Sequence, residues 1–303
     1  MCTCIRDLIK TLQTHYPLSG VPLFSMVGSG LVTLLMNIYA RWMMPGDIGW
    51  RLSFVASEML CVNGLAKAYL KGPRPYWMDD KIKTLDPTLE TSYGFPSGHV
   101  MGLYVVWGIL AWHVGGVFTF TLWAVMTILV AYSRVYTGAH FLHDVVGGCI
   151  LGTVLLATDI LNEHYVLKSG QRGSFIEATI LITWALVAFT GVIKLAADIN
   201  GRVKLAMVYE GVSGAGFSLG LAVSHLLEAF NPLDCVENPP MPLHLCLVGL
   251  ITVVALDKAG KQLTEYEDGT RDMTSLALQA LVYAALMVWS TYLWPRLVFQ
   301  CSV

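Results

Sequence analysis

Uncharged apolar runs of 15 to 25 residues recur along the chain, and no other feature limits its fold as strongly. A hydrocarbon layer about 30 Å thick is crossed by about 20 apolar residues in a helix, and only structures that satisfy their backbone hydrogen bonds internally can enter it. The runs lie near 21–41, 48–70, 99–113, 117–133, 141–159, 174–194, 205–229, 242–257 and 274–294. They predict an all-α fold, a polytopic membrane helical bundle with about nine transmembrane helices. The runs at 99–113, 117–133 and 242–257 are short, so tilted partners or re-entrant pieces are expected among them. Composition agrees: 13% of the 303 residues are charged, about half the share of a soluble domain. A net charge of −2 leaves no basic surplus for nucleic-acid phosphates, so nucleic acid is excluded as a partner.

The seven cysteines, at positions 2, 4, 61, 149, 235, 246 and 301, show no paired C-x-x-C spacing and read as packing residues. Ser174 and Glu177 form an S-x-x-E capping box at the head of one run. Gly148 with Gly152, and Gly216 with Gly220 and Ser224, set small residues one helical turn apart, a spacing that lets helices approach closely. Glu58, Glu210 and His225 are ionisable residues inside spans, where charge is costly. Glu58 and Lys67, nine apart, face opposite sides of their helix, while Glu210 and His225 either line a pocket or join helices.

Three polar stretches interrupt the runs, the longest being 71–96. Lys67 closes the second run, and Arg74-Pro75 follows after Gly72 and Pro73 have ended the helix. The third run opens with Pro96-Ser97-Gly98-His99, where first-turn N–H groups have no intrahelical partners and attract anions. The fourth ends in Ser133-Arg134. His140 and Asp144 then stand four apart at the head of the fifth, on one helix face. Each crossing reverses the chain, so these segments reach the same membrane surface. Three cations, a helix N-terminus, two imidazoles and a carboxylate suit the holding and cleaving of a phosphate.

In this order the residues resemble the tripartite signature of the type 2 phosphatidic acid phosphatase (PAP2) superfamily, K-x6-RP, PSGH and SR-x5-H-x3-D. Lys67, Arg74, Pro75, Pro96, Ser97, Gly98, His99, Ser133, Arg134, His140 and Asp144 fill its eleven positions. The resemblance covers roughly residues 48–159. Arg74 to Trp77 and the span count are also similar to the glucose-6-phosphatase and sphingosine-phosphate phosphatase branches. The resemblance implies a phosphohistidine on His140, with Asp144 holding its other ring nitrogen and His99 protonating the leaving alkoxide. Lys67, Arg74, Arg134, Ser97 and Gly98 would bind the phosphate oxygens. Three fixed cations make a metal unnecessary, and no cofactor is expected; Asp79-Asp80 reads as a solvated pair, and His143 as a bystander in preference to a residue that supports the site through another.

The organisation expected is an N-terminal polar segment (1–20), a catalytic transmembrane core (21–159) and further transmembrane helices without an assigned role (160–303). The expected activity is an integral-membrane phosphatase acting on a lipid phosphate monoester or pyrophosphate: phosphatidate, sphingoid-base phosphate or polyprenyl phosphate. Its partners are then a membrane lipid substrate and the bilayer, with the oligomeric state open. Transfer to an alcohol acceptor, hydrolysis of a sugar phosphate and a silent lipid-binding or transport protein are the alternatives. Most Lys and Arg residues fall on the motif-bearing side, which points to a cytoplasmic site, whereas the resemblance implies an extracytoplasmic or lumenal one.

Overall fold

The fold was obtained as a computed structural model, which describes residues 3–15, 20–44, 48–85, 92–163, 174–198, 203–231, 241–265 and 270–300. Each of the apolar runs is helical. The helices are α1 (Thr3–His15), α2 (Val21–Val27), α3 (Gly30–Met43), α4 (Ile48–Leu70), α5 (Pro75–Met78), α6 (Gly98–Val114), α7 (Val117–Tyr136), α8 (Leu142–Asn162), α9 (Ser174–Asp198), α10 (Leu205–Phe230), α11 (Leu243–Leu263), α12 (Met273–Val288) and α13 (Trp294–Gln300). A π-helical turn, Trp289–Leu293, joins the last two. Among the described residues the only strands are Val203–Lys204 and Thr270–Arg271, an antiparallel pair.

Five of these helices are long and apolar enough to cross a membrane: α7, α8, α9, α11 and the continuous Met273–Phe299 segment. Counting α2 and α3, which meet at a 43° bend, as one span makes six. Against an expectation of about nine spans, five or six qualify on length and composition among the described residues. The remaining three runs have reasons to fall short. At 17 residues α6 is short, α4 carries Arg51, Glu58 and Lys67, and α10 is diluted by Gly and Ser along its length. Leu142, Val146, Ile150 and Val154 form an exposed stripe at four-residue spacing on α8, the surface of a helix that meets lipid rather than water.

The chain forms two compact units, Met1–Thr33 with Ala66–Thr158, and Leu34–Leu65 with Asp159–Val303. The first is built round α6, which is apolar on every side and buries Val100, Met101, Leu103, Val105, Val106 and Ile109, as a central helix must. Val100 and Leu103 share a core with Ile9 of α1, Ile82, Val130 and Val135 of α7, and Phe141 and Val145. Residues 3–15 thus form an amphipathic helix whose Ile9 is fully buried.

The second unit is held by small residues and by polar pairs. A Cβ on Gly216 or Gly220 would run into the Ala280 or Ala284 carbonyl of α12, so only glycine permits this approach of α10 to α12, and Ser224 extends it with a 2.8 Å bond between its Oγ and Thr291 Oγ1. Arg51 pairs with Asp159 at 2.6 Å and Glu163 at 2.8 Å. Trp184 Nε1 donates to Glu58 at 2.8 Å. Glu177 reaches His225 of α10; the Ser174 side chain, and with it the expected capping box, lies outside the described residues. Cys61 and Cys246 are buried free thiols and Cys149 a half-buried one; the side chains of Cys2, Cys4, Cys235 and Cys301 lie outside the described residues.

Gly220→Leu should therefore force α10 from α12, an overpacking cost of about 1–3 kcal/mol or more. Gly20, which has no neighbour within 4 Å of an added Cβ, should accept Ala with little change. Melting temperatures of the two variants in detergent check this.

Candidate active site

The site assembles inside the first unit from three chain segments. Lys67 lies in the last turn of α4, which ends at Lys71 in a left-handed conformation (φ 47°). Arg74 then caps α5 with extended backbone. Its guanidinium is fully buried and heavily bonded: Nε donates to Ser92 O at 2.5 Å, Nη2 to Ser92 Oγ at 3.1 Å and Tyr93 O at 3.3 Å, and Nη1 to Ala139 O at 2.9 Å. Lys67 Nζ donates to the same Ser92 Oγ at 3.1 Å. Two motif cations thus meet on a hydroxyl that belongs to no motif.

The second segment enters α6 at Ser97, whose extended backbone makes it the N-cap. Ser97 N donates to Asp144 O at 3.0 Å, and the first intrahelical bond runs from Met101 N to Ser97 O. The N–H groups of Gly98 and His99 precede that bond and form the positive end of the helix. Ser97 Oγ is buried and, among the described residues, has no hydrogen-bond partner, which suits an anionic oxygen. His99 is half-buried in this first turn.

The third segment leaves α7 with Arg134 fully buried and turns through Gly138 (φ 73°). His140 N donates to Arg134 O at 3.1 Å. His140 Nδ1 lies 3.6 Å from Asp144 Oδ2, and its Nε2 lies 3.4 Å from Arg74 Nη1. A proton on Nδ1, facing the carboxylate, leaves the lone pair on Nε2 beside the guanidinium. Asp144 Oδ2 also accepts from Phe141 N at 2.8 Å, which anchors the carboxylate at the head of α8.

The structure therefore brings Lys67, Arg74, His140 and Asp144 together, ties Ser97 to Asp144, and joins Arg134 to His140 through the backbone. Sequence reasoning missed Ser92, whose position in a long polar loop carries no motif. It also read His143 as a bystander, whereas His143 Nε2 lies 3.1 Å from Asp144 Oδ1 and its ring stacks on Phe141 and Phe95. Its spacing from Asp144, one residue, gave no hint, because neighbours on a helix rarely face each other. Asp79 is engaged by Lys10 of α1 at 2.5 Å, and this bond, with Lys81 N–H, holds its carboxyl below the usual range. That tie is complete at neutral pH and is lost as acid protonates the carboxyl. Trp77, exposed, packs edge-on against Tyr93 at 5.8 Å beside the Arg74 anchor.

Ser133 has a structural use. Its Oγ donates to Val21 O at 2.8 Å and lies 2.7 Å from Ser25 Oγ, so it fastens α2 to α7. Ser133→Ala should cost about 1–3 kcal/mol, the penalty of an orphaned buried polar group, seen as a lower melting temperature with unchanged orthovanadate affinity.

The model of the PAP2 superfamily matches residues 49–164. Glucose-6-phosphatase catalytic subunit 1 of Haplochromis nubilus is 29% identical over 223 residues, covering 64% of this chain and 62% of that protein. Sphingosine-1-phosphate phosphatase 2 of Mus musculus is 21% identical over 70% of this chain and 62% of its own length. The catalytic subunit 1 of glucose-6-phosphatase from Canis lupus familiaris is 32% identical over 52% of each chain. The chain thus spans about half to three-fifths of the length of these relatives. No solved structure is significantly similar to it. The three motif segments fall within residues 49–164, the stretch over which this chain is similar to the PAP2 superfamily.

Proposed function

We propose that the chain is a multi-pass membrane phosphatase that cleaves phosphate monoesters through a phosphohistidine on His140. The observation that carries this reading is electrostatic. Lys67, Arg74 and Arg134 are all at most 2% exposed, and the one carboxylate among the named site residues is Asp144. Buried charge is costly unless compensated, and a phosphate dianion compensates a surplus of this sign.

In the first step His140 Nε2 attacks phosphorus, the P–O bond to the leaving group breaks, and His99 gives its proton to the departing alkoxide. Asp144 stabilises the imidazolium character that develops on His140, as a carboxylate does in a hydrolase triad. In the second step His99, now neutral, takes a proton from water as that water attacks phosphorus, releasing inorganic phosphate and restoring His140. The cations, Ser97 Oγ and the α6 N-terminus hold the non-bridging oxygens. Preorganised charge of this kind is the main source of rate in phosphoryl transfer, and here it does the work a divalent metal does elsewhere.

Two leaving groups are supported. The relatives named glucose-6-phosphatase have the higher identities, which favours a sugar phosphate. A lipid phosphate is the second reading, supported by the membrane setting and by the relative named sphingosine-1-phosphate phosphatase, whose alignment covers more of the chain. The exposed Trp77 and the half-buried Tyr93 would meet the leaving group in either case. In this reading α4, α6 and α10 also cross the bilayer, giving about nine spans.

Phosphate release from glucose-6-phosphate, sphingosine-1-phosphate and phosphatidate by purified protein in detergent tests the proposal. His140→Ala should lower release by roughly a thousandfold or more while the protein stays folded; retained turnover would remove His140 as nucleophile. Excess EDTA should leave the rate unchanged, and an activity restored only by added divalent metal would overturn the three-cation account.

A further inference from the structure

We infer that Ser92 is a positioning residue of the phosphate site: it holds the Lys67 ammonium and the Arg74 guanidinium as one clamp and keeps its hydroxyl proton for a phosphoryl oxygen. This rests on the phosphate-site reading above. Ser92 is 3% exposed and lies between α5 and α6, outside the three motif segments. Its Oγ accepts from Lys67 Nζ and from Arg74 Nη2, each at 3.1 Å. Its main-chain carbonyl accepts from Arg74 Nε.

A serine hydroxyl has two lone pairs and one proton. Two cationic donors use both lone pairs, so the O–H points away from both cations, and among the described residues no acceptor takes it. Withdrawal of electron density by two adjacent positive charges makes that O–H a stronger donor. Two like charges bonded to one oxygen stand within two hydrogen-bond lengths of each other, where they repel. The hydroxyl dipole between them offsets that repulsion and fixes their separation, so an arriving phosphoryl group meets a preset spacing instead of two mobile side chains. Such preorganisation removes ordering costs from binding and from the transition state. The main-chain bond from Arg74 to Ser92 O survives replacement of the side chain, so the hydroxyl's contribution can be isolated.

The experiment is calorimetric titration of purified protein in detergent with orthovanadate, which needs no turnover, alongside kcat and KM for whichever phosphate ester the wild type cleaves. Ser92→Ala should weaken vanadate binding at least tenfold and lower kcat/KM at least tenfold in protein that remains folded, with some loss of melting temperature from the two buried donors left short of an acceptor. Ser92→Thr, which keeps the hydroxyl, should stay within threefold of wild type. If the alanine variant does not fold, Ser92→Cys, similar in volume with a weak acceptor, should show the same loss. Wild-type vanadate affinity in Ser92→Ala or Ser92→Cys would overturn the inference and leave the phosphate site standing. Equal weakening in Ser92→Thr and Ser92→Ala would assign the effect to packing and overturn it too. A wild type that binds no vanadate would overturn both this inference and the phosphate-site reading.

Discussion

The burial of Arg74 is the constraint on which the first unit depends. A guanidinium removed from water must have its N–H groups bonded, and here those partners come from two separate loops, Ser92–Tyr93 ahead of α6 and Ala139 ahead of His140. Satisfying one side chain therefore fixes both loops against the end of α4. The placement of His140 follows: its Nε2 lies 3.4 Å from Arg74 Nη1, and Ala139, its neighbour in the chain, is pinned to the same guanidinium.

Helices and motif residues were legible in the sequence, each for a physical reason. Apolar periodicity does not depend on partners, so every run of that kind is helical, and Lys67, Arg74, Arg134, His140 and Asp144, expected on one membrane surface, lie in one compact unit. What stayed hidden depends on tertiary approach. Ser92 sits in polar sequence with nothing to distinguish it from the serines and threonines nearby, and only the folded loop brings it between two cations. His143 follows the same logic: its contact with Asp144 arises from an irregular entry to α8 and from aromatic stacking, neither of which spacing encodes. Glu177 adds a contact of the same kind, because its approach to His225 of α10 is set by the fold and not by local spacing.

The second unit shows how charge is tolerated in apolar helices. Arg51 with Asp159 and Glu163, Glu58 with Trp184, and Glu177 with His225 each place a polar group of one helix against that of another. Of the two readings open for His225, its contact with Glu177 supports the joining of helices. Trp50, Arg51, Phe54, Asp159, Glu177 and His225 also border a small cleft, so the two readings coincide in space. Bonds of this kind specify which helix faces meet, a task that apolar contacts, lacking direction, perform poorly.

The bond from Ser133 to α2 bears on modularity. The family match begins at residue 49, yet the compact unit that carries the site also takes in residues 1–33, with Ile9 in its core and Val21 accepting from a motif serine. A fragment excised at the limits of the match would expose apolar core and strand a buried hydroxyl. The family-matched stretch and the compact unit that carries the site are therefore different objects in this chain, and the latter is discontinuous in sequence.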